Sequence, residues 1–377
     1  MRKFFQEDTG IGKKKQAPKS DPSSSNASNE GTTTTTTSKW EFDEKDVAAI
    51  AKSVDTMLSR LKKSGALRNI KEEFSRLKGY IPEGPKEAFI ANEPRNRYRD
   101  ILLLDNTRVV LKNRDNDYIH ASKIMVGNNV FICTQGPLEN TVESFWAMIF
   151  QEKVKLIVML CRFIEEGKEK CYEYFPKNEG KLVFGDFVIE SSYRMPIPDG
   201  DGATSAMLEV THKGKKEKVE HIWYENWADH AAPENFRATF DLIQMARSKR
   251  QNSPVVVHCS AGVGRTGCFV AIELAAHMAA TKSNFKMETV LREIRDQRMH
   301  SIQNDVQYLY VYRGFVEYLI RKGVTRRMDV LKFITDYDNL IKRKKTREQE
   351  KDMSAFAAPG RSKDYCPSVY YNPYNFY

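Results

Sequence analysis

The chain has 377 residues, 41% of them hydrophobic, and a formal net charge of +10, enough apolar material for one large or two ordinary domains. The charge is concentrated at the ends: residues 1–40 carry seven basic and four acidic side chains, and residues 321–377 carry thirteen and seven. A near-neutral middle with basic tails excludes a nucleic-acid-binding core, so no nucleic acid partner is expected.

Residues 1–42 are rich in Ser, Thr, Asn and Lys, lack hydrophobic periodicity and read as a disordered tail. From Asp43, Val47, Ile50, Ala51, Val54, Leu58 and Leu61 recur at helical spacing. This amphipathic segment, residues 43–65, either packs on the domain or, less favoured, binds a partner. After Gly65, Leu67, Ile70, Phe74 and Leu77 begin a second helical face, and with it a domain over residues 66–322. Strands are expected at Asn129–Cys133, Leu156–Leu160, Phe187–Tyr193, Ala206–Thr211 and Val219–Tyr224, and helices at Val142–Glu152 and Phe236–Ser248. Val255–Cys259 reads as a short, fully buried strand, followed by helical stretches at Cys268–Ala280, Met287–Asp296 and Asp305–Ile320. The pattern predicts an α/β (α+β) fold, a mixed β-sheet flanked by helices.

Residues 323–377 form a basic segment with one more expected helix, Val330–Ile341, and a tyrosine-rich tail from Tyr365 onward. Those tyrosines read as phosphorylation sites or as an accident of composition. Lys342-Arg-Lys-Lys345 reads equally as a solvated helix end or as a weak contact for acidic lipid or an import receptor, the latter allowing nuclear residence. The six cysteines form no CxxC pairs or Cys/His clusters, which suits a reducing compartment and gives no metal site. The longest apolar runs are strand-length, so no transmembrane segment is expected. Met1–Thr9 is too short and polar for a signal peptide, and the expected location is cytoplasmic. Nothing in the chain speaks to its oligomeric state.

The most informative stretch is Val255-Val-Val-His-Cys-Ser-Ala-Gly-Val-Gly-Arg-Thr-Gly267. A buried strand delivers Cys259 to a glycine-containing turn, and a helix-compatible segment follows. Unpaired amides and the helix dipole at such a junction favour an anion. Gly262 and Gly264 allow backbone conformations that aim successive N–H groups at one point. Arg265 adds a planar fork suited to two phosphate oxygens. The same positive field favours the thiolate, the nucleophilic form of Cys259. A phosphate beside a thiolate is a phosphoryl-transfer site.

His258-Cys-Ser-Ala-Gly-Val-Gly-Arg-Thr-Gly267 resembles the active-site loop of the cysteine-dependent protein tyrosine phosphatases. Asn96-Arg-Tyr-Arg-Asp-Ile101, Asn116-Asp-Tyr-Ile-His-Ala-Ser122, Thr134-Gln-Gly-Pro-Leu138, Trp227-Ala-Asp-His-Ala-Ala-Pro233 and the Gln303–Gln307 stretch match the same family in order and spacing. The resemblance covers roughly Leu67 to Leu319 and implies a non-receptor, tyrosine-specific phosphatase with a highly twisted mixed sheet. It needs no cofactor and takes phosphotyrosine-containing proteins as substrates. Dual specificity is disfavoured by the long domain and by Tyr98. The alternative from another class is a catalytically weakened module that binds phosphotyrosine without hydrolysing it.

The resemblance implies the site roles as well. Cys259 is the nucleophile and His258 sets its environment. The amides of Ser260, Ala261, Gly262, Val263, Gly264 and Arg265 hold phosphate oxygens, and Glu165 holds Arg265. Asp229 is the general acid on a mobile loop anchored by Trp227, and Thr266 donates to the departing Cys259 sulfur. Gln303, with Gln307 nearby, positions the second-step water. Tyr98 walls a pocket deep enough for phosphotyrosine, with Phe163 and Val263 as further lining, and Asp100 binds the substrate backbone. Three positions depart from the pattern. Ala228 and Ala231 replace the usual proline and glycine, which should alter the loop's open–closed balance, and His120 replaces an asparagine.

Overall fold

The structure is a computed structural model, and it describes residues 44–228, 231–233, 236–250 and 252–357. Asp229, the Ser/Thr-rich tail and the tyrosine-rich end lie outside the described residues.

The short apolar runs become strands and the periodic segments become helices. In chain order the elements are Glu44–Leu61 (α1), Ala66–Leu77 (α2), Glu87–Ala91 (α3), Arg108–Val110 (β1), Tyr118–Val126 (β2), Asn129–Thr134 (β3), Val142–Gln151 (α4), Leu156–Met159 (β4), Ile164–Glu165 (β5) and Lys168–Glu169 (β6). They continue with Gly180–Phe184 (β7), Phe187–Ser191 (β8), Met195–Pro196 (β9), Thr204–His212 (β10), Lys215–Trp223 (β11), Phe236–Lys249 (α5) and Val255–His258 (β12). Four helices follow: Arg265–Thr281 (α6), Met287–Gln297 (α7), Asp305–Arg321 (α8) and Leu331–Ala357 (α9).

Ten strands join in one mixed sheet, ordered β1-β2-β3-β12-β4-β11-β10-β8-β7, with β9 added beside β10. β12 lies between β3 and β4 and runs parallel to both, Val257 facing Cys133 on one side and Val158 on the other. Every residue of β12 is buried, as a parallel strand covered on both faces requires. The chain leaves its end at the sheet centre and enters α6, itself buried along nearly its whole length. Reactive groups carried on this junction are therefore held between a fully buried central strand and a buried helix.

The flanking helices hold that junction from behind. α1 buries Ile50, Val54 and Leu61 and packs against α6. Ser53 Oγ donates to the Lys282 carbonyl at 2.6 Å. α2 buries Ile70, Phe74 and Leu77 against α8 and α9. Its Glu73 carboxylate, 1% exposed, accepts hydrogen bonds from Tyr308 Oη and Tyr312 Oη at 2.7 Å each and from Arg60 Nη2 at 2.8 Å. α9 buries Phe333, Ile334, Tyr337 and Ile341 on one face. It runs sixteen residues past the expected end at Ile341, because Lys, Arg, Glu and Gln are good helix formers. The Lys342–Lys345 cluster accordingly lies within a helix rather than at its end, with Lys342, Arg343 and Lys345 exposed. Among the described residues, no helix is long and apolar enough to cross a membrane.

Glu73 ties α1, α2 and α8 at one buried point. Glu73→Ala would leave two buried tyrosyl hydroxyls without their acceptor, an expected loss of about 2–4 kcal/mol. Urea unfolding of the variant and the parent chain measures it.

Candidate active site

Residues 259–264 leave β12 and reach the first turn of α6 in six residues, and every carbonyl among them is engaged. Cys259 O faces His258 Nδ1 at 3.2 Å, and Ser260 O accepts from Gly136 N at 2.8 Å. Ala261 O and Gly262 O accept from the Arg298 guanidinium at 3.1 and 2.6 Å. Val263 O accepts from Ile302 N at 2.9 Å and Gly264 O from Cys268 N at 3.0 Å. In a trans peptide the carbonyl and the following N–H point in opposite directions. Fixing six carbonyls on the outer side therefore turns the N–H groups of Ser260 through Arg265 inward. The Gly262 N–H donates to Cys259 Sγ at 3.3 Å. This is an anion nest around a thiol.

The glycines are required where they stand. Gly262 has φ +69°, and an added Cβ would overlap the Thr134 carbonyl. A Cβ on Gly264 would fall on the carboxamides of Gln303 and Gln307. Gly136 allows the Lys170 and Cys259 carbonyls to approach, at 2.7 and 3.0 Å from where its Cβ would be.

Arg265 opens α6, and its side chain is wholly buried. Nη1 and Nη2 donate to the two Glu165 carboxylate oxygens at 2.6 and 3.0 Å, and Nη1 also donates to the Trp227 carbonyl at 2.8 Å. Burial opposes the charge, but the Glu165 carboxylate and the facing Cys259 more than offset it, so its pKa is raised above the ordinary guanidinium value. Glu165 sits on the β5–β6 hairpin, whose two-residue turn, Glu166-Gly167, has positive φ at both positions. This is the turn that two-residue hairpins prefer. The carboxylate is fixed further by the Arg162 N–H at 2.9 Å. Trp227 is buried against Tyr310, and its Nε1–H donates to Ala231 O at 2.9 Å. The anchor of the expected acid loop and the arginine fork therefore share a hydrogen bond. Ala228 is exposed, and its carbonyl accepts from Ala231 N at 3.3 Å.

A cleft of about 170 Å³ opens over the thiol, lined by Tyr98, Asp100, Cys259, Ser260, Ala261 and Gln303 together with Ile101 and Lys170. Tyr98 Oη and Ser260 Oγ are 2.8 Å apart, joining the wall to the loop. Gln303 N–H donates to Gln307 Oε1 at 2.8 Å. Thr266 Oγ1 and Gln307 Nε2, both buried, have no hydrogen-bond partner among the described residues. Unspent donors beside a nest suit an acceptor-rich ligand. Phe163 packs between Phe175 and Trp223, and the Val263 side chain is buried. Among the described residues, no cluster of three or more His, Cys, Asp or Glu is placed to hold a metal.

Three contributors are given no role by the motifs. Arg298, 2% exposed, turns the loop carbonyls outward. Lys170 lines the cleft. Arg97 donates to the Gly136 and Pro137 carbonyls at 3.1 and 2.7 Å and so braces the strand end that Gly136 extends. An arginine that acts through backbone carbonyls leaves no local pattern in a sequence.

The chain belongs to the protein-tyrosine phosphatase family. A family model described as protein-tyrosine phosphatase matches residues 92–317. The chain is 33% identical over 282 residues to mouse tyrosine-protein phosphatase non-receptor type 9, covering 68% of this chain and 47% of that one. It is 34% identical over 237 residues to mouse non-receptor type 20, covering 61% and 55%. To human non-receptor type 2 it is 32% identical over 240 residues, covering 61% and 57%. The chain thus spans about half the length of the curated relatives it matches.

His120, which stands where the resemblance predicts asparagine, is built into this site. Its Nε2 lies 2.8 Å from Ile101 O, which only accepts, so that nitrogen carries the proton. Nδ1 then accepts from Arg298 Nη2 at 3.2 Å. The ring links the cleft wall to the arginine that shapes the loop. Burial, with Arg298 alongside, pushes its pKa down to about 3, and burial pushes that of His258 down to about 4. Both rings are neutral in the fold, whereas in the unfolded chain they protonate near the ordinary value of about 6.5. The unfolded chain binds more protons as pH falls from about 6.5 toward 4, so stability declines by about 1.4 kcal/mol per pH unit for each ring. Unfolding free energies at pH 7, 6 and 5 are expected to show this fall. His120→Asn, which keeps a donor and an acceptor but cannot titrate, should make the decline shallower.

Proposed function

We propose that this chain hydrolyses phosphotyrosine in proteins through a cysteinyl-phosphate intermediate. The observation that carries the proposal is the arrangement around Cys259. Its sulfur accepts an N–H from a loop whose carbonyls all face outward, and Arg265 is aligned beside it by the bidentate Glu165. Phosphoryl transfer is chiefly a matter of positioning and of neutralising charge on the equatorial oxygens, and the loop amides and Arg265 supply both.

In the first step the Cys259 thiolate attacks phosphorus and the phosphorus–oxygen bond to the tyrosyl ring breaks. Asp229 gives its proton to the leaving phenolate, worth about 10²–10⁴-fold for a placed acid. In the second step a water positioned by Gln303 attacks the cysteinyl-phosphate. Asp229 takes the water's proton, inorganic phosphate leaves, and the thiolate returns with a hydrogen bond from Thr266. Tyr98, stacked on the phenyl ring, restricts access to a side chain long enough to reach the bottom of the cleft. A free thiol nucleophile suits a reducing location such as the cytoplasm.

The purified chain is expected to release phosphate from a phosphotyrosyl peptide and not from the matching phosphoseryl peptide. Cys259→Ser should abolish release, and Asp229→Ala should bind substrate but turn over about 10²-fold more slowly. No release from either peptide would leave only a phosphotyrosine-binding module, and equal release would remove the tyrosine specificity. Because proline restricts φ and lowers the conformational freedom of a loop, Ala228→Pro is expected to change kcat with little effect on KM. Identical kcat values would show that position 228 has no kinetic weight.

A further inference from the structure

A file of polar side chains, half-buried at Arg194 and buried beyond it, runs across the sheet to the reactive loop from its far side. Arg194 lies between β8 and β9, its guanidinium over Phe175 and Trp223 at 5.1 and 5.7 Å. Nη2 is 3.2 Å from His221 Nδ1, and Nη1 donates to His221 O at 3.2 Å. His221, fully buried on β11, places Nε2 2.7 Å from Tyr174 Oη. Tyr174 Oη is also 2.7 Å from His258 Nε2, and His258 Nδ1 faces Cys259 O.

Only one arrangement of protons satisfies all of these contacts. A carbonyl only accepts, so His258 Nδ1 carries a proton and, in the neutral ring, Nε2 accepts. Tyr174 must then spend its single proton on His258 and accept from His221 Nε2–H. That leaves His221 Nδ1 as an acceptor, facing an arginine that has nothing but donors. Burial keeps both rings neutral: His258 is pushed down to about 4 and His221 well below the usual range. Burial lowers Arg194 only to about 10, so it stays charged at neutral pH. The other groups facing the file are Cys161 and Cys171 beside Tyr174, Glu225 beside Arg194, and Arg97 and Arg265 beside His258.

We propose that Arg194 is a positioning residue that sets the direction of the hydrogen-bond file Arg194→His221→Tyr174→His258→Cys259 O and thereby orients the first peptide of the phosphate loop. Without a donor at Nδ1, His221 is free to take the other tautomer. Tyr174 would then donate to it instead, and His258 would lose the bond that fixes its ring. The Cys259 carbonyl would no longer be held outward, nor the Ser260 N–H inward. The inference rests on the thiolate chemistry of Cys259 proposed above.

The test uses the full chain and reads alkylation of Cys259 by iodoacetamide against pH, with the modified peptide quantified by mass spectrometry. Iodoacetamide reacts with the thiolate, so the inflection reports how well the loop stabilises that form. Arg194→Met is expected to move the inflection up by about half to one pH unit and to lower kcat/KM on a phosphotyrosyl peptide about five- to tenfold at pH 6. Arg194→Lys, which still only donates, should stay within about 0.3 of the parent inflection. Tyr174→Phe, a one-atom deletion that keeps the test open should Arg194→Met not fold, should move it as far. Adding Arg194→Met to Tyr174→Phe should then move it no further, since both cut one file. An unmoved inflection in folded Arg194→Met or Tyr174→Phe, or additive shifts in the double variant, would overturn the proposal. A parent chain that hydrolyses no phosphotyrosyl peptide, combined with a shifted inflection in Arg194→Met, would sink the phosphatase reading and leave the file standing.

Discussion

The outward anchoring of the carbonyls from Cys259 to Gly264 is the constraint on which the rest of the site depends. A loop of free peptides would present oxygen and N–H alternately and would repel an anion as often as bind it. Here six acceptors are engaged by a histidine, two backbone amides of neighbouring segments, one arginine twice, and the first turn of α6. Apart from His258, these partners lie outside the loop's signature, and together they decide which way its N–H groups face.

The partners come from widely separated parts of the chain. Gly136 follows β3, Arg298 follows α7, and Ile302 lies two residues before the start of α8's cap at Asn304. Arg298 is itself oriented by Ser122 and His120 on β2. Glu165 arrives on a hairpin outside the main sheet, and Trp227 comes from the segment after β11. The packing of α2 on α8 and of α1 on α6 therefore bears on chemistry that neither helix touches.

The strand–loop–helix unit around Cys259 was legible because three signals coincide there: an unbroken valine run, glycines at the tight positions, and an arginine opening a helix. Local periodicity also reveals α1, α2 and α4 to α8. It misses β2, whose side chains are buried on both faces and so show no alternation, and it misses β7, an edge strand in which Leu182 and Phe184 are only half-buried and Val183 is exposed. Arg298 could not be found because the loop oxygens it holds are backbone groups, the same for any residue type, and its side-chain partners Ser122 and His120 reach it only in the tertiary structure. His120 stood out as a substitution, but its role rests on Ile101 and Arg298, which only tertiary structure brings to it.

The place of β12 carries a consequence for how the protein assembles. The strand inserts between β3 and β4, roughly a hundred residues upstream, and such long-range parallel pairings close late because loop entropy must be overcome first. Nearly all of the sheet's other partners are in hand before Val255–His258 takes its slot. A nascent or partly folded chain thus carries Cys259 without the loop geometry around it, and the Gly262 N–H reaches its sulfur only when β12 is in place.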